Sequence, residues 1–240
     1  MNSSQHQCPI MVSIPSTLQA VRERIARACA ACGRAPSEVR LLAVSKTRPA
    51  TAVEEAYAAG QRAFGENFLQ EGVDKIQALA ALPLEWHFIG SIQSNKTRLV
   101  AENFHWVHSI DRLKIAERLS AQRPSHLPPL QVCIEVNVSG ESSKGGVDPA
   151  AAQTLATAIV LLPNLRLRGL MAIPEPVADG EAQRSRFRAL ASLRDTLVES
   201  GLILDTLSMG MSDDLEAAIA EGATIVRVGT AVFGTRERRL

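Results

Sequence analysis

What the chain has least of is net charge: over 240 residues, 26 Lys and Arg stand against 25 Asp and Glu. No global field therefore draws it onto nucleic acid or an anionic membrane, and a small or locally bound partner is the better expectation. Long apolar runs are missing too. Stretches such as residues 156–162 are far too short to span a bilayer, and the N-terminus has neither a basic segment nor an extended apolar one. Cysteine is scarce: Cys8, Cys29, Cys32 and Cys133 do not make the dense framework of a small secreted scaffold. Together these absences predict a cytoplasmic chain with reduced thiols. Cys29 and Cys32 form a CxxC, but no second CxxC or nearby histidine completes a metal site, and the Ala-rich surroundings read as helix. Tyrosine occurs once, as Tyr57 within a helical segment.

What is present is enough apolar residue, 46%, to bury a sizeable core. Residues 1–14 are polar and irregular and read as a flexible leader before one domain at 15–240. After a first helix over 15–32, short β-type runs alternate with helical-period segments without a long linker, which predicts a parallel sheet. Eight strands are expected, at 41–45, 62–65, 87–90, 106–109, 132–138, 167–171, 206–209 and 225–228. Helices are expected at 50–59, 68–81, 94–101, 113–122, 149–162, 181–200 and 213–221. Eight units favour a single (β/α)8 TIM-type barrel with an extra N-terminal helix over a doubly wound sheet. The first strand also ends in Ser45-Lys46-Thr47-Arg48-Pro49, without the glycines of a dinucleotide loop.

In such a barrel the residues just past each strand form the working face. Lys46 shares a strand face with Leu42 and Val44. If that face is interior, the amine is desolvated and can attack an aldehyde to give a Schiff base; otherwise it is a solvated lysine opening a turn. Ser208-Met209-Gly210-Met211-Ser212 runs from strand seven through a glycine turn, with Ser212 the expected N-cap of the next helix, and donors there suit an anion. Gly229 and Thr230 close strand eight and offer a second such loop. Arg227 neighbours Lys46 across the barrel seam; it faces either a ligand ring or an acid such as Glu135. Asn137, Glu135 and Cys133 alternate on strand five and either line the site or satisfy one another. His87 looks inward as a supporting residue, while Met171 and Ile173 make an apolar wall or plain core. Residues 236–240 read as a solvated end.

Six ordered motifs carry a resemblance. Ala43-Val44-Ser45-Lys46-Thr47, Phe64-Gly65-Glu66-Asn67, Trp86-His87-Phe88-Ile89-Gly90, Gly169-Leu170-Met171, Ser208-Met209-Gly210-Met211-Ser212-Asp213 and Val226-Arg227-Val228-Gly229-Thr230-Ala231 resemble the pyridoxal phosphate homeostasis protein family over residues 15–236. The resemblance implies a barrel like the N-terminal domain of alanine racemase, without that enzyme's second domain. It also implies pyridoxal 5′-phosphate (PLP) as cofactor, Lys46 as the Schiff-base lysine, and Ser208, Gly210, Met211, Ser212, Gly229 and Thr230 as the phosphate cradle. Arg227 then meets the pyridine nitrogen, with Asn67, His87 and Met171 around the pocket; Asn137, from its face of strand five, is expected to line the same site. The role implied is buffering or delivery of the cofactor, with PLP-dependent apo-enzymes as recipients, no catalytic residue and no metal. A monomer is the expected working unit. The alternative is an enzyme, either an amino-acid racemase or a Schiff-base aldolase; racemisation needs a second acid/base opposite the lysine, and Tyr57 is badly placed to supply it.

Overall fold

Leu18, Val21, Ile25 and Cys29 recur at three- and four-residue spacing, and the helix they form, α1 (Ile14–Ala31), buries that stripe. The structure is a computed structural model and describes residues 13–141, 145–175 and 179–235. Most of the expected leader (1–12) and the expected solvated end (236–240) lie outside the described residues.

Beyond α1 the chain runs β1 (Arg40–Val44), α2 (Ala50–Ala58), β2 (Ala63–Glu66), α3 (Leu69–Ala78), β3 (Glu85–Phe88), α4 (Thr97–Asn103), β4 (Trp106–Ile110), α5 (Leu113–Gln122), β5 (Leu130–Glu135), α6 (Ala152–Ile159), β6 (Leu165–Met171), α7 (Gly180–Glu199), β7 (Thr206–Ser208), α8 (Leu215–Ala220), β8 (Ile225–Val228) and α9 (Thr230–Phe233). All eight strands pair in parallel, in chain order, and β8 closes on β1 with Leu42 opposite Arg227. This is the expected TIM-type barrel. Helix α9 was not expected; its four residues are too few to show a periodic pattern. Because so short a helix cannot cover its part of the barrel, α1 packs against α8, α9 and α2 and fills the gap.

Alternation along the strands sorts side chains into two compartments. Leu41, Ala43, Phe64, Val107, Leu207 and Val226 join the large core between barrel and helices. The barrel interior holds two small apolar clusters instead, Leu42 with Ala63 and Ile225, and Trp106 with Cys133 and Met171.

Several boundaries differ from the sequence reading, β3 for one running Glu85–Phe88 and not 87–90, and two of them bear on the site. Strand β5 stops at Glu135, not at 138, because Val136 bridges to Val147 and Asn137 N–H donates to Val147 O, drawing the chain off the barrel. Helix α8 begins at Leu215, not 213, and Asp214 is its N-cap. Ser212 is not that cap: its hydroxyl accepts the Ala231 N–H at the start of α9 (3.3 Å), while the Asp214 carboxylate folds back onto Met211 N–H (2.6 Å). Of the CxxC pair, Cys29 is core and Cys32 is exposed; burial pushes the Cys29 thiol up. No described helix is long and apolar enough to cross a membrane.

Candidate functional site

Lys46 stands two residues past Val44 at the C-terminal mouth and is half-buried. Its turn is pinned on both flanks. Ser45 is fully buried and its hydroxyl donates to Glu66 Oε1 at 2.6 Å; Thr47 takes the left-handed conformation (φ 63°) and its N–H donates to Glu71. A β-branched residue is strained there by about 1–3 kcal/mol, so the turn persists because these partners over-determine it. Arg48 adds hydrogen bonds to the carbonyls of Gly234 and Thr235.

Across the seam, Arg227 is 3% exposed. Its guanidinium donates to Ser208 O, to Ser208 Oγ (2.8 Å) and to Ala172 O (2.9 Å), so its hydrogen bonds go to β7 and β6 and not to Glu135. Burial lowers its pKa to about 10, against the pull of Asp214, Glu135 and Cys133, which leaves it charged at neutral pH. Glu135 is held up chiefly by burial and then by Asp111.

Ser208 opens a hydrogen-bonded chain through the barrel interior. Its hydroxyl lies 2.7 Å from His108 Nδ1, His108 Nε2 lies 2.9 Å from His87 Nδ1, His87 Nε2 lies 2.6 Å from Glu85, and Arg40 donates to Glu85 at 2.7 Å. The end charges fix every proton. Hydrogen bonds from His87 and Arg40 outweigh burial and hold Glu85 down to about 2, so it is an acceptor and His87 must donate from Nε2. Burial lowers His87 to about 4 and His108 well below its ordinary value, so both rings are neutral. His87 Nδ1 then accepts from His108 Nε2–H, His108 Nδ1 accepts from the Ser208 hydroxyl, and Ser208 in turn accepts from Arg227. Each proton points toward Glu85. Trp106 stacks on His87 with ring centroids 5.3 Å apart, sealing the apolar side.

The remaining candidates fall into three groups. Gly210, Met211 and Ser212 form the β7 loop, stitched to β8 by Arg227 N–H donating to Gly210 O, and Ser212 reaches the turn that carries Gly229 and exposed Thr230. A Cβ on Gly229 would meet Val44 O at 3.2 Å, so this turn lies directly against the strand that carries Lys46. Met171 is buried in the barrel interior, and Asn67 Oδ1 is buried with no hydrogen-bond partner among the described residues. Asn137 instead donates to Glu141 O at 2.7 Å, in the loop beyond β5. The structure thus brings Lys46, Arg227, Ser208, Ser212, Gly229 and Thr230 onto adjacent strands β7, β8 and β1. His87 sits deeper, as a support.

Sequence reasoning missed His108, Glu85 and Lys75. His108 lies two residues beyond Trp106 on β4, on the same face, and Trp106 is the β4 residue opposite His87; the alternation of Trp106 and His108 was the one signal in the sequence. Lys75 follows Glu71 by four residues and looks like half of a surface ion pair, yet it is buried.

The alanine racemase N-terminal domain family matches residues 16–237. The chain is 63% identical over 227 residues to the pyridoxal phosphate homeostasis protein of Pseudomonas aeruginosa, covering 95% of this chain and 97% of that one. To the protein of that name from Escherichia coli K12 it is 56% identical over 230 residues, covering 95% and 98%. Among solved structures it resembles PipY of Synechococcus elongatus with PLP bound, at 38% identity and TM-score 0.83, covering 92% of this chain and all of that one. An alanine racemase from Clostridium difficile, at 12% identity and TM-score 0.77, shares the fold; the match covers 95% of this chain and 58% of the racemase.

Proposed function

This chain belongs to the family of pyridoxal phosphate homeostasis proteins, and from that premise we propose that it binds PLP at the barrel mouth and keeps the cofactor available in the cell. Lys46 would take the aldehyde carbon, Arg227 would face the ring nitrogen, and Ser212, Gly229 and Thr230 would surround the phosphate. The observation that carries this reading is the convergence of an amine, a fully buried guanidinium and a hydroxyl-bearing loop pair on three adjacent strands.

The side chains present fit the group. Bound PLP supplies an aldehyde that condenses with a primary amine, with loss of one water. The chain's own residues do the rest. Arg227, buried and charged, would meet the ring nitrogen and keep it unprotonated, which would weaken the ring as an electron sink. Ser208 orients Arg227 from below and receives no free rotation, since both its hydrogen-bonding directions are used. Met171 offers an apolar surface, and Asn67 Oδ1 is a spare acceptor at the mouth.

A carrier is favoured over a catalyst because the one tyrosine lies far from the mouth. Tyr57 sits on α2 with the Arg62 guanidinium 4.0 Å from its ring centroid, at the N-terminal end of β2. The observation on the other side is Glu135, a carboxyl held up by burial at the end of β5, which suits an acid/base role. We read the carrier as a cytoplasmic monomer that passes PLP to apo-enzymes. Incubating the loaded protein with single L-amino acids in deuterated water tests it: no α-proton exchange beyond one equivalent is expected, whereas repeated turnovers lost in Glu135→Gln would put an enzyme first.

A further inference from the structure

Behind the Lys46 turn lies an ionic cluster of buried Lys75 and Glu66 with half-buried Glu71. Lys75, on α3, is 5% exposed, and its three ammonium hydrogens meet three acceptors: Ser45 O at 2.6 Å, Glu66 Oε1 at 2.7 Å and Glu71 Oε1 at 2.6 Å. Glycine makes this proximity feasible, since a Cβ at Gly72 would meet Phe104 at 2.8 Å and Glu66 Cβ at 3.2 Å, holding α3 away from the barrel. The carboxylates then pass the contact to the backbone on both sides of Lys46. Glu66 accepts from the Ser45 hydroxyl, and Glu71 accepts from the N–H of Thr47, the residue held at positive φ. A buried ion pair is weak evidence for stability, because apolar packing of equal volume does as well. All the output of this one goes to residues 45 and 47.

We propose that Lys75 is a positioning residue: through Glu66 and Glu71 it locks the Ser45–Thr47 turn so that the Lys46 amine is aimed at the cofactor's aldehyde. This rests on Lys46 as the bonding residue. In that step the amine nitrogen attacks the aldehyde carbon, a carbon–nitrogen double bond forms, and the carbonyl oxygen leaves as water with both amine hydrogens; nothing is oxidised or reduced. Locking the turn therefore acts on aldehyde capture and leaves phosphate and ring recognition alone.

The test compares two ligands on the full chain: PLP, and pyridoxine 5′-phosphate, which has a hydroxymethyl group in place of the aldehyde. Lys75→Met is the direct variant, but it leaves the buried Glu66 carboxylate facing Glu71 with no cation between them. Glu71→Ala, at a partly exposed residue, releases Thr47 without that cost. Both variants should weaken PLP binding by about tenfold, the population effect of freeing one strained residue, and change pyridoxine 5′-phosphate binding by less than about twofold. Glu71→Gln keeps an oxygen for the Thr47 N–H and should restore most of the loss. Equal losses for both ligands in Glu71→Ala, or no loss for PLP, would overturn the proposal. A wild-type protein that binds both ligands equally would sink the underlying assignment of Lys46 as well.

Discussion

Lowering the pH from 7 to 5 should draw on buried His87 and His108. His87 has a folded pKa of about 4, against about 6.5 when the chain is unfolded. Between those values the unfolded state binds the extra proton and the folded state does not, so stability is full above about pH 6.5 and falls as the pH drops toward 4. For His87 alone the linkage amounts to about 2 kcal/mol between pH 7 and pH 5, and about 3 kcal/mol once both states are protonated. His108 acts in the same direction. Glu66 and Glu135, both held up by burial, act oppositely: their folded forms gain protons first, which favours the folded state on acidification. A bare denaturation series therefore mixes signs, and His87→Gln isolates the histidine. The stability gap between wild type and variant, from guanidinium unfolding, should shrink by about 2 kcal/mol from pH 7 to pH 5. Nitrogen-15 spectra should show both rings neutral at pH 5.5 with the proton on Nε2. A gap independent of pH, or a His87 ring that titrates near 6.5, would refute the proton assignment along the chain from Arg227 to Glu85.

Two further outcomes follow from the loops. Ser212→Ala combined with Thr230→Ala should weaken PLP binding by about a hundredfold or more but pyridoxal binding by less than about threefold, since each hydrogen bond to a charged group contributes about 1.5–3 kcal/mol; fluorescence titration with both ligands checks this, and parallel losses would contradict the phosphate assignment. Gly210 has φ +94°, and a Cβ there would sit 2.6 Å from Ala218 Cβ, so Gly210→Ala should cost about 2 kcal/mol of stability by thermal melting, with an unchanged midpoint as the contrary result.

The fold was legible because strand alternation and helix periodicity are local properties: β8 spans the expected residues 225–228, and the barrel order follows from the connections alone. Lys46, just past β1, and Arg227, one residue before the end of β8, were legible for the same reason. What escaped depends on contacts between elements. Three cap candidates stand in a row at Ser212, Asp213 and Asp214, and only the packing of α9 decides that the serine hydroxyl belongs to Ala231. Ser208 was expected at the phosphate, yet its hydroxyl is committed to His108 and Arg227, pairings across three strands that no spacing reveals. The burial of Lys75 depends likewise on how closely α3 approaches the barrel.

The central claim is that one lysine, at the end of β1, captures the cofactor. Loading the protein with PLP, reducing with borohydride, and mapping the digest by mass spectrometry tests it most directly. The label should appear at one equivalent per chain, on the peptide containing Lys46, and should vanish together with the yellow absorption band in Lys46→Ala. A label on Lys75, Lys96 or Lys114 in the wild type, or an undiminished label in Lys46→Ala, would contradict the account.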